Sequence, residues 1–550
     1  AIVFTIIAWI HHSRNARERA QEQKHRKRSM EASIVQISIG DIAFDQGPNG
    51  DKGEYVCVTM DWWPENKCDY EVCPWKDASI LTTDLTSPKL QGLLKAFDGI
   101  ILRIGGTQQD TVVYEEINTT TATTCEPFTP SPQEEEQSHI FEHGCLSRNR
   151  WKEVTTFART ANAKVIFGIN AMFGRKGSNP WMDTNARSFL EFLRDTNIDG
   201  VDVGSNGNDN NNHLHGKLVD QIVGFEYGNE LNYRNVTALE DAAGFKQFHQ
   251  LLQDVFGKEK AHSFRLIGPD QELAGSLYRD FLPLVHDILW GVSWHDYPLG
   301  PGYGNVDMLD QRMMQASLLD EWAAQDSTVI STKYPNLKLV MGETGGAWNS
   351  GNKEANNRFM DAFWYLHGLG RLAQNKHSMF CRQTFIGGNY ELVDKHSHGP
   401  NPSYFAALLF KRIMGREVRF VNVVTEMTKS DKEASDNVRV FAHCNLEQKQ
   451  LGLLIINFNG SGDVSVDLEG SSMSDLIPRD EYLVTAASLR SKSVLINGKH
   501  PVVNPDGTDH LHPRKVMDYE RKILLDPQSY GFIQFSQHSA ISQQKCGPYR

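Results

Sequence analysis

A chain of 550 residues exceeds what one hydrophobic core organises and points to one large and one modest domain. Its 40% hydrophobic and 23% charged residues exclude wholesale disorder. The formal charge of −12 excludes a general nucleic-acid binder, which needs a basic face, and leaves any acidic ligand to be gripped by local groups.

The chain opens on an apolar run, Ile2–Ile10, followed by a basic stretch, His11–Arg28. That order is the reverse of a signal peptide, and the run is shorter than the roughly 20 residues that span a bilayer. Residues 1–31 are read as a truncated signal or type II anchor, the one part of the chain with a route to a membrane. Ile34–Ile42 is strand-like and is expected to join the C-terminal part of the fold.

From residue 55, short apolar runs alternate with helical patterns. The predicted strands are Tyr55–Met60, Gly99–Ile104, Lys164–Ile169, Ile222–Tyr227, Phe264–Ile267, Leu289–Trp294, Leu337–Met341 and Met379–Phe385. Between them, Ser87-Pro88 reads as an N-cap with Pro at the first helical position, and Leu90, Leu93, Leu94 and Phe97 follow at helical spacing. Trp151, Val154 and Phe157 repeat the pattern, as do Phe189, Phe192 and Leu193. Eight such units predict a (β/α)8 TIM barrel over residues 51–415.

Two stretches, Thr119–Glu136 and Val203–His215, are too polar to bury and read as surface loops. After residue 415 the runs Asn437–Ala442, Leu451–Phe458, Asp463–Leu468, Ser493–Ile496 and Tyr530–Phe535 are separated by Gly, Asn and Asp turns. They predict an appended all-β sandwich domain formed by residues 32–50 and 416–550.

Eight cysteines show no metal-type CxxC pair and predict a few disulfides in an oxidising compartment, with buried free thiols as the alternative. Sequons at Asn118, Asn235 and Asn459 agree with a secreted glycoprotein. No convincing metal-ligand cluster is present: His213 and His215 are close, but lie in the Asn-rich loop.

Catalytic groups of a barrel project from the C-terminal ends of its strands. Those ends carry Asp61, Thr107, Asn170, Asn229-Glu230, Asp270, His295 with Tyr297, Glu343 and Gln383. Glu230 and Glu343 follow the fourth and seventh strands, on opposite sides of the barrel mouth, where two carboxyls can flank a glycosidic bond about 5 Å apart. One must be protonated to assist the leaving group and the other ionised to attack. The alternative for each is a solvated loop carboxylate.

The segments Cys57-Val-Thr-Met-Asp-Trp-Trp-Pro, Leu102-Arg-Ile-Gly-Gly-Thr-Gln-Gln-Asp and Phe167-Gly-Ile-Asn-Ala come first in a longer series. Tyr227-Gly-Asn-Glu-Leu-Asn, Ser293-Trp-His-Asp-Tyr, Gly342-Glu-Thr-Gly-Gly-Ala and Phe385-Ile-Gly-Gly-Asn-Tyr complete it. In this order they resemble the heparanase and heparanase-like β-glucuronidases of glycoside hydrolase family 79, and the plant-type members most in Asp61-Trp-Trp-Pro. The resemblance runs over about residues 50–535. It implies a retaining β-glucuronidase acting on glucuronic-acid-containing glycans or glycosides, with no metal or organic cofactor. It implies Glu230 as acid/base, Glu343 as nucleophile, and Asp61, Thr107, Asn229, Tyr297 and Tyr390 as sugar contacts. The glycine pair that holds the uronate carboxylate falls on Asn349 and Ser350 here, where backbone N–H groups would have to serve. A Cys444–Cys546 disulfide is likewise implied.

His295 and Tyr297 are read as orienting the nucleophile or binding substrate. Trp62, Trp63 and Trp348 are candidates for stacking on sugar rings, with core packing as the alternative for the first two. Arg103 reads either as a partner of a catalytic carboxylate or as a barrel-interior ion pair. Two other functions remain open: a retaining glycosidase for another sugar, and a non-catalytic glycan-binding protein.

Overall fold

All eight predicted barrel strands form in the computed structural model, which describes residues 27–47, 54–69, 71–116, 125–130, 141–142, 144–175, 180–198, 216–273, 275, 277–303, 306–323, 328–423, 429–517 and 521–547. The apolar run Ile2–Ile10, Asn118, and the pair His213 and His215 lie outside the described residues.

The first strand, β1 (Ser33–Asp45), belongs to the C-terminal sheet. The barrel follows as β2 (Val56–Met60), β3 (Ile101–Ile104), β4 (Lys164–Ile169) and β5 (Ile222–Tyr227). It continues with β6 (Arg265–Glu272), β7 (Gly291–His295), β8 (Lys338–Thr344) and β9 (His377–Arg382). Each strand pairs in parallel with its neighbour in sequence, and β9 closes on β2. The runs are apolar almost throughout because one face fills the barrel and the other meets the helices. Cys57 and Cys381 stand opposite each other in the closing pair and form a disulfide across it.

Helix α1 (Pro88–Lys95) begins as expected: Ser87 caps the Leu90 N–H, Pro88 opens the first turn, and Leu90, Leu93 and Leu94 are buried. In α2 (Arg148–Thr160) and α3 (Thr184–Asp195) the stripes Trp151, Val154, Phe157 and Phe189, Phe192, Leu193 are buried too. Trp151 packs edge-on against Phe167 of β4, which joins the helix layer to the strands.

The C-terminal region forms β10 (Glu417–Val423), β11 (Val438–Asn445), β12 (Gln450–Asn457), β13 (Val464–Leu468) and β14 (Arg479–Thr485). It ends with β15 (Leu495–Ile496), β16 (Arg514–Val516), β17 (Ile523–Leu525) and β18 (Ser529–Phe535). The hydrogen-bonded order is β15-β14-β18-β12-β11-β10-β1-β13-β17, with β16 on β14. In a flat sheet β17 and β18 would be six spacings apart, roughly 29 Å. Only residues 526–528 separate them in sequence, a reach of about 14 Å, so the sheet folds over on itself. Ile523 and Leu525 then share a core with Leu453, Ile455, Ile533 and Phe535. Four of these strands, β10, β14, β16 and β17, go beyond the five runs expected there. All eight cysteines are paired, as Cys57–Cys381, Cys68–Cys73, Cys125–Cys145 and Cys444–Cys546. Among the described residues no helix is long and apolar enough to cross a membrane.

Candidate active site

At the C-terminal mouth of the barrel the buried Arg103 guanidinium organises the carboxylates. Arg103, on β3, is wholly buried. Its Nε donates to both oxygens of Glu226 on β5, at 3.0 and 2.8 Å. Its Nη1 donates to Glu343 Oε2 at 2.8 Å, and its Nη2 to Asn229 Oδ1 at 3.1 Å. Both readings of Arg103 from sequence therefore hold at once: it pairs with a barrel-interior carboxylate and with Glu343.

Glu343, in β8, also accepts the Tyr297 hydroxyl at 2.5 Å. Burial alone would raise its pKa, but His295, Arg103 and Tyr297 outweigh burial and hold the carboxyl below its ordinary range. Glu230 follows β5 in a left-handed conformation, φ 51°, so its backbone turns the side chain out of the strand line at some cost in strain. Its Oε1 lies 2.9 Å from His295 Nδ1. His295 thus sits with Glu230 rather than with Glu343, while Tyr297 takes the contact with Glu343. Burial opposes a charge on His295, yet Glu343, Asp270 and Glu230 together push its pKa up to about 10.

Asp61 occupies the end of β2 and is buried. Its Oδ1 accepts the Trp62 N–H at 2.6 Å and its Oδ2 the Gln383 amide at 2.7 Å. Gly106 has φ 131°, and a Cβ added there would overlap the Asp61 carboxylate, so glycine at this turn makes the room. Thr107 follows, and its carbonyl accepts Arg234 Nη2 at 2.8 Å, tying this loop to the turn that carries Glu230. The Tyr390 ring lies buried against Gly345 and Gly351.

Asn349, Ser350 and Gly351 all have positive φ, of 52°, 64° and 68°. Ser350 keeps the left-handed turn because its side chain is anchored inward. Its Oγ accepts Trp75 Nε1 at 2.9 Å and Lys67 Nζ at 3.2 Å and donates to Asp69. Lys67 is itself buried, ion-paired with Asp69, and lies over the Trp63 ring. Asn349 and Trp348 are exposed. Trp62 is fully buried against Phe167, and Trp63 is 8% exposed, so packing accounts for both.

Two carboxylates went unremarked in the sequence. Glu226 interrupts an apolar strand, and a charged residue inside such a run was the available signal; burial pushes its pKa up against Arg103. Asp110 accepts the backbone N–H groups of Ala171 and Asn229, at 3.0 and 3.1 Å, and burial raises it to about 6. Asp61 is raised by burial and by Glu343, and Glu391 by burial to about 7. These groups hold protons in the folded state that the unfolded chain has released. Above about pH 6.5 unfolded histidines are neutral and no longer offset this. The folded state then binds more protons, and stability falls as pH rises. A lower melting temperature at pH 8 than at pH 6.5 is expected in calorimetry. Among the described residues no group of three or more His, Cys, Asp or Glu is arranged to hold a metal ion.

Residues 48–370 match the family model described as the N-terminal domain of glycosyl hydrolase family 79. Heparanase-like protein 3 of Arabidopsis thaliana is 32% identical over 521 residues, 87% of this chain and 89% of that protein. Baicalin-beta-D-glucuronidase of Scutellaria baicalensis is 30% identical, over 90% of this chain and 91% of that protein. The solved 4-O-alpha-L-rhamnosyl-beta-D-glucuronidase of Fusarium oxysporum shares the fold, with a TM-score of 0.58 and 14% identity over 91% of this chain and 99% of that one.

Proposed function

The chain belongs to glycosyl hydrolase family 79, and from that premise we propose that it is a retaining β-glucuronidase in which Glu343 is the nucleophile and Glu230 the acid/base. The observation that carries this reading is the pairing of the two carboxyls with different partners. Glu343 is held ionised by Arg103, and Glu230 faces His295. In the first step Glu343 attacks the anomeric carbon, the bond to the leaving oxygen breaks, and Glu230 gives that oxygen its proton. In the second, Glu230 takes a proton from water as the water displaces Glu343. The sugar keeps its β configuration after two inversions.

Asn229 has its Oδ1 engaged by Arg103 and offers its Nδ2 to the sugar 2-hydroxyl, a hydrogen bond that strengthens in the transition state. Asp61, Thr107, His295, Tyr297 and Tyr390 line the sugar subsite in this reading. The backbone N–H groups of the Asn349–Gly351 turn receive the substrate carboxylate, as successive N–H groups of a tight turn can form a concavity for anions. The pairing of all eight cysteines fits an oxidising compartment, and we place the protein in the secretory route. Among the described residues Asn235 is the exposed sequon asparagine; the Asn459 amide already donates to the Ala434 carbonyl at 3.0 Å.

A panel of aryl glycosides tests the sugar. We expect kcat/KM for the β-glucuronide to exceed that for the β-glucoside, β-xyloside and α-L-arabinofuranoside by about 100-fold or more. Preference for a neutral sugar would replace the uronide reading. Binding of glycans without turnover would point to a non-catalytic protein.

A further inference from the structure

Asp270, at the end of β6, has no part in the steps above, yet it touches the Glu230 side of the site twice. Its backbone carbonyl accepts the Glu230 N–H at 2.8 Å. Its carboxylate is fully buried, and neither oxygen accepts a hydrogen bond. Oδ1 stands 3.6 Å from His295 Nε2, across the ring from the Nδ1 that meets Glu230 at 2.9 Å. The conformation is held deliberately: φ is 53°, and the Asp270 N–H donates to Ser293 Oγ at 3.1 Å. Room for the carboxylate comes from Gly342, where a Cβ would stand 2.8 Å from Asp270 Oδ1.

We propose that Asp270 is a positioning residue for the acid/base, neutralising the His295 imidazolium so that Glu230 keeps its proton until the leaving group needs it. This rests on the reading of Glu230 as the acid. A buried carboxylate without hydrogen bonds is costly and persists where a nearby charge compensates it. The charges around this point are the cations Arg103, with Nη2 3.5 Å from His295 Nε2, and His295 itself. Against them stand Glu343 on Arg103 and Asp270 on His295, while burial pushes the Glu226 carboxyl toward its neutral form. Tyr297 and Tyr233 face Glu230 as neutral hydroxyls, Tyr233 tied to Glu272 at 3.2 Å. Asp61 lies beyond Glu343. Arg103 is thus matched within the barrel. An unmatched imidazolium 2.9 Å from Glu230 would favour its ionised form. Asp270 supplies the missing negative charge.

The two partners should therefore move the pH profile in opposite directions. The basic limb of kcat/KM reports loss of the acid's proton in the free enzyme. In Asp270→Asn that limb is expected to fall by about one pH unit, and in His295→Gln to rise. With aryl β-glucuronides of graded phenol acidity, Asp270→Asn should lose more on poor leaving groups than on good ones. An unmoved limb with equal losses on every leaving group would overturn the proposal and leave Asp270 a structural residue. Should Asp270→Asn not fold, His295→Gln alone decides: a basic limb that stays or falls overturns it. Glu230→Gln, run beside them, isolates the premise. If it loses activity equally on all leaving groups, Glu230 is not the acid. If it fails only on poor ones while the other variants leave the limb unmoved, the inference about Asp270 alone is wrong.

Discussion

Glu343→Gln is expected to lower kcat on an aryl β-glucuronide by on the order of 10⁴-fold or more. The amide matches the carboxylate in shape, so the pocket around it is expected to hold. The Oε2 contact with Arg103 at 2.8 Å can pass to the amide oxygen, which remains an acceptor. What is lost is nucleophilicity, because an amide does not form the glycosyl ester. Steady-state rates beside a melting curve separate this from unfolding: activity falls while the transition stays within a few degrees. Full retention of activity would remove Glu343 from the mechanism.

Arg103→Met carries the second large effect, and it spans stability and rate together. The guanidinium is wholly buried and donates to Glu226, Glu343 and Asn229. Removing it leaves two carboxyls in low dielectric without their cation, a loss of about 3–5 kcal/mol in unfolding free energy. Glu343, the proposed nucleophile, also loses one of the groups that hold its pKa down, so kcat/KM should fall by about 10³-fold. Adding Glu226→Gln removes one of the stranded carboxyls. The double variant is expected to recover at least about 1 kcal/mol of stability and little of the rate, because Glu343 still lacks its guanidinium partner. Denaturant unfolding of both single variants and the double variant gives the coupling. Additivity of the two changes would show that Arg103 and Glu226 do not support each other.

The barrel was legible because its strands are buried on both faces and read as continuous apolar runs, whose ends carry the polar groups of the mouth. The fifth of them was read too short. β6 continues past Ile267 through Gly268-Pro269 to Glu272, and a proline inside a run reads as a stop although the pairing resumes beyond it. Among the C-terminal strands that escaped notice, β14 breaks the rule that charge faces outward. In β14, Arg479 and Glu481 are both buried, paired at 2.9 Å, and Arg514 of β16 joins Glu481. β10 is mostly solvent-facing beyond its first two residues, and its pairing with β1 and β11, not its own pattern, makes it a strand.

At the mouth, Glu230 and Glu343 could be found because strand ends concentrate chemistry. The supporting shell could not be read in the same way. Which carboxylate His295 meets depends on the angle at which β7 leaves the barrel. Glu226 and Asp110 act through contacts with residues more than 50 positions away, Arg103 and Ala171. Such distant pairs follow from strand register and loop path. A single sequence exposes them only as a charge in an apolar run. Trp62 illustrates the reverse: beside Asp61 it looks like a sugar platform, but it is wholly buried with its ring against Phe167.

The most direct test of the mechanism is to trap the glycosyl-enzyme with a 2-deoxy-2-fluoro-β-glucuronide bearing a good leaving group, then map the labelled peptide by mass spectrometry. The electron-withdrawing fluorine slows both steps, and the activated leaving group lets the first outrun the second. One equivalent of sugar esterified to Glu343 is the expected result. An adduct on any other carboxylate, or turnover of the β-glucuronide with inversion at the anomeric carbon, would contradict it.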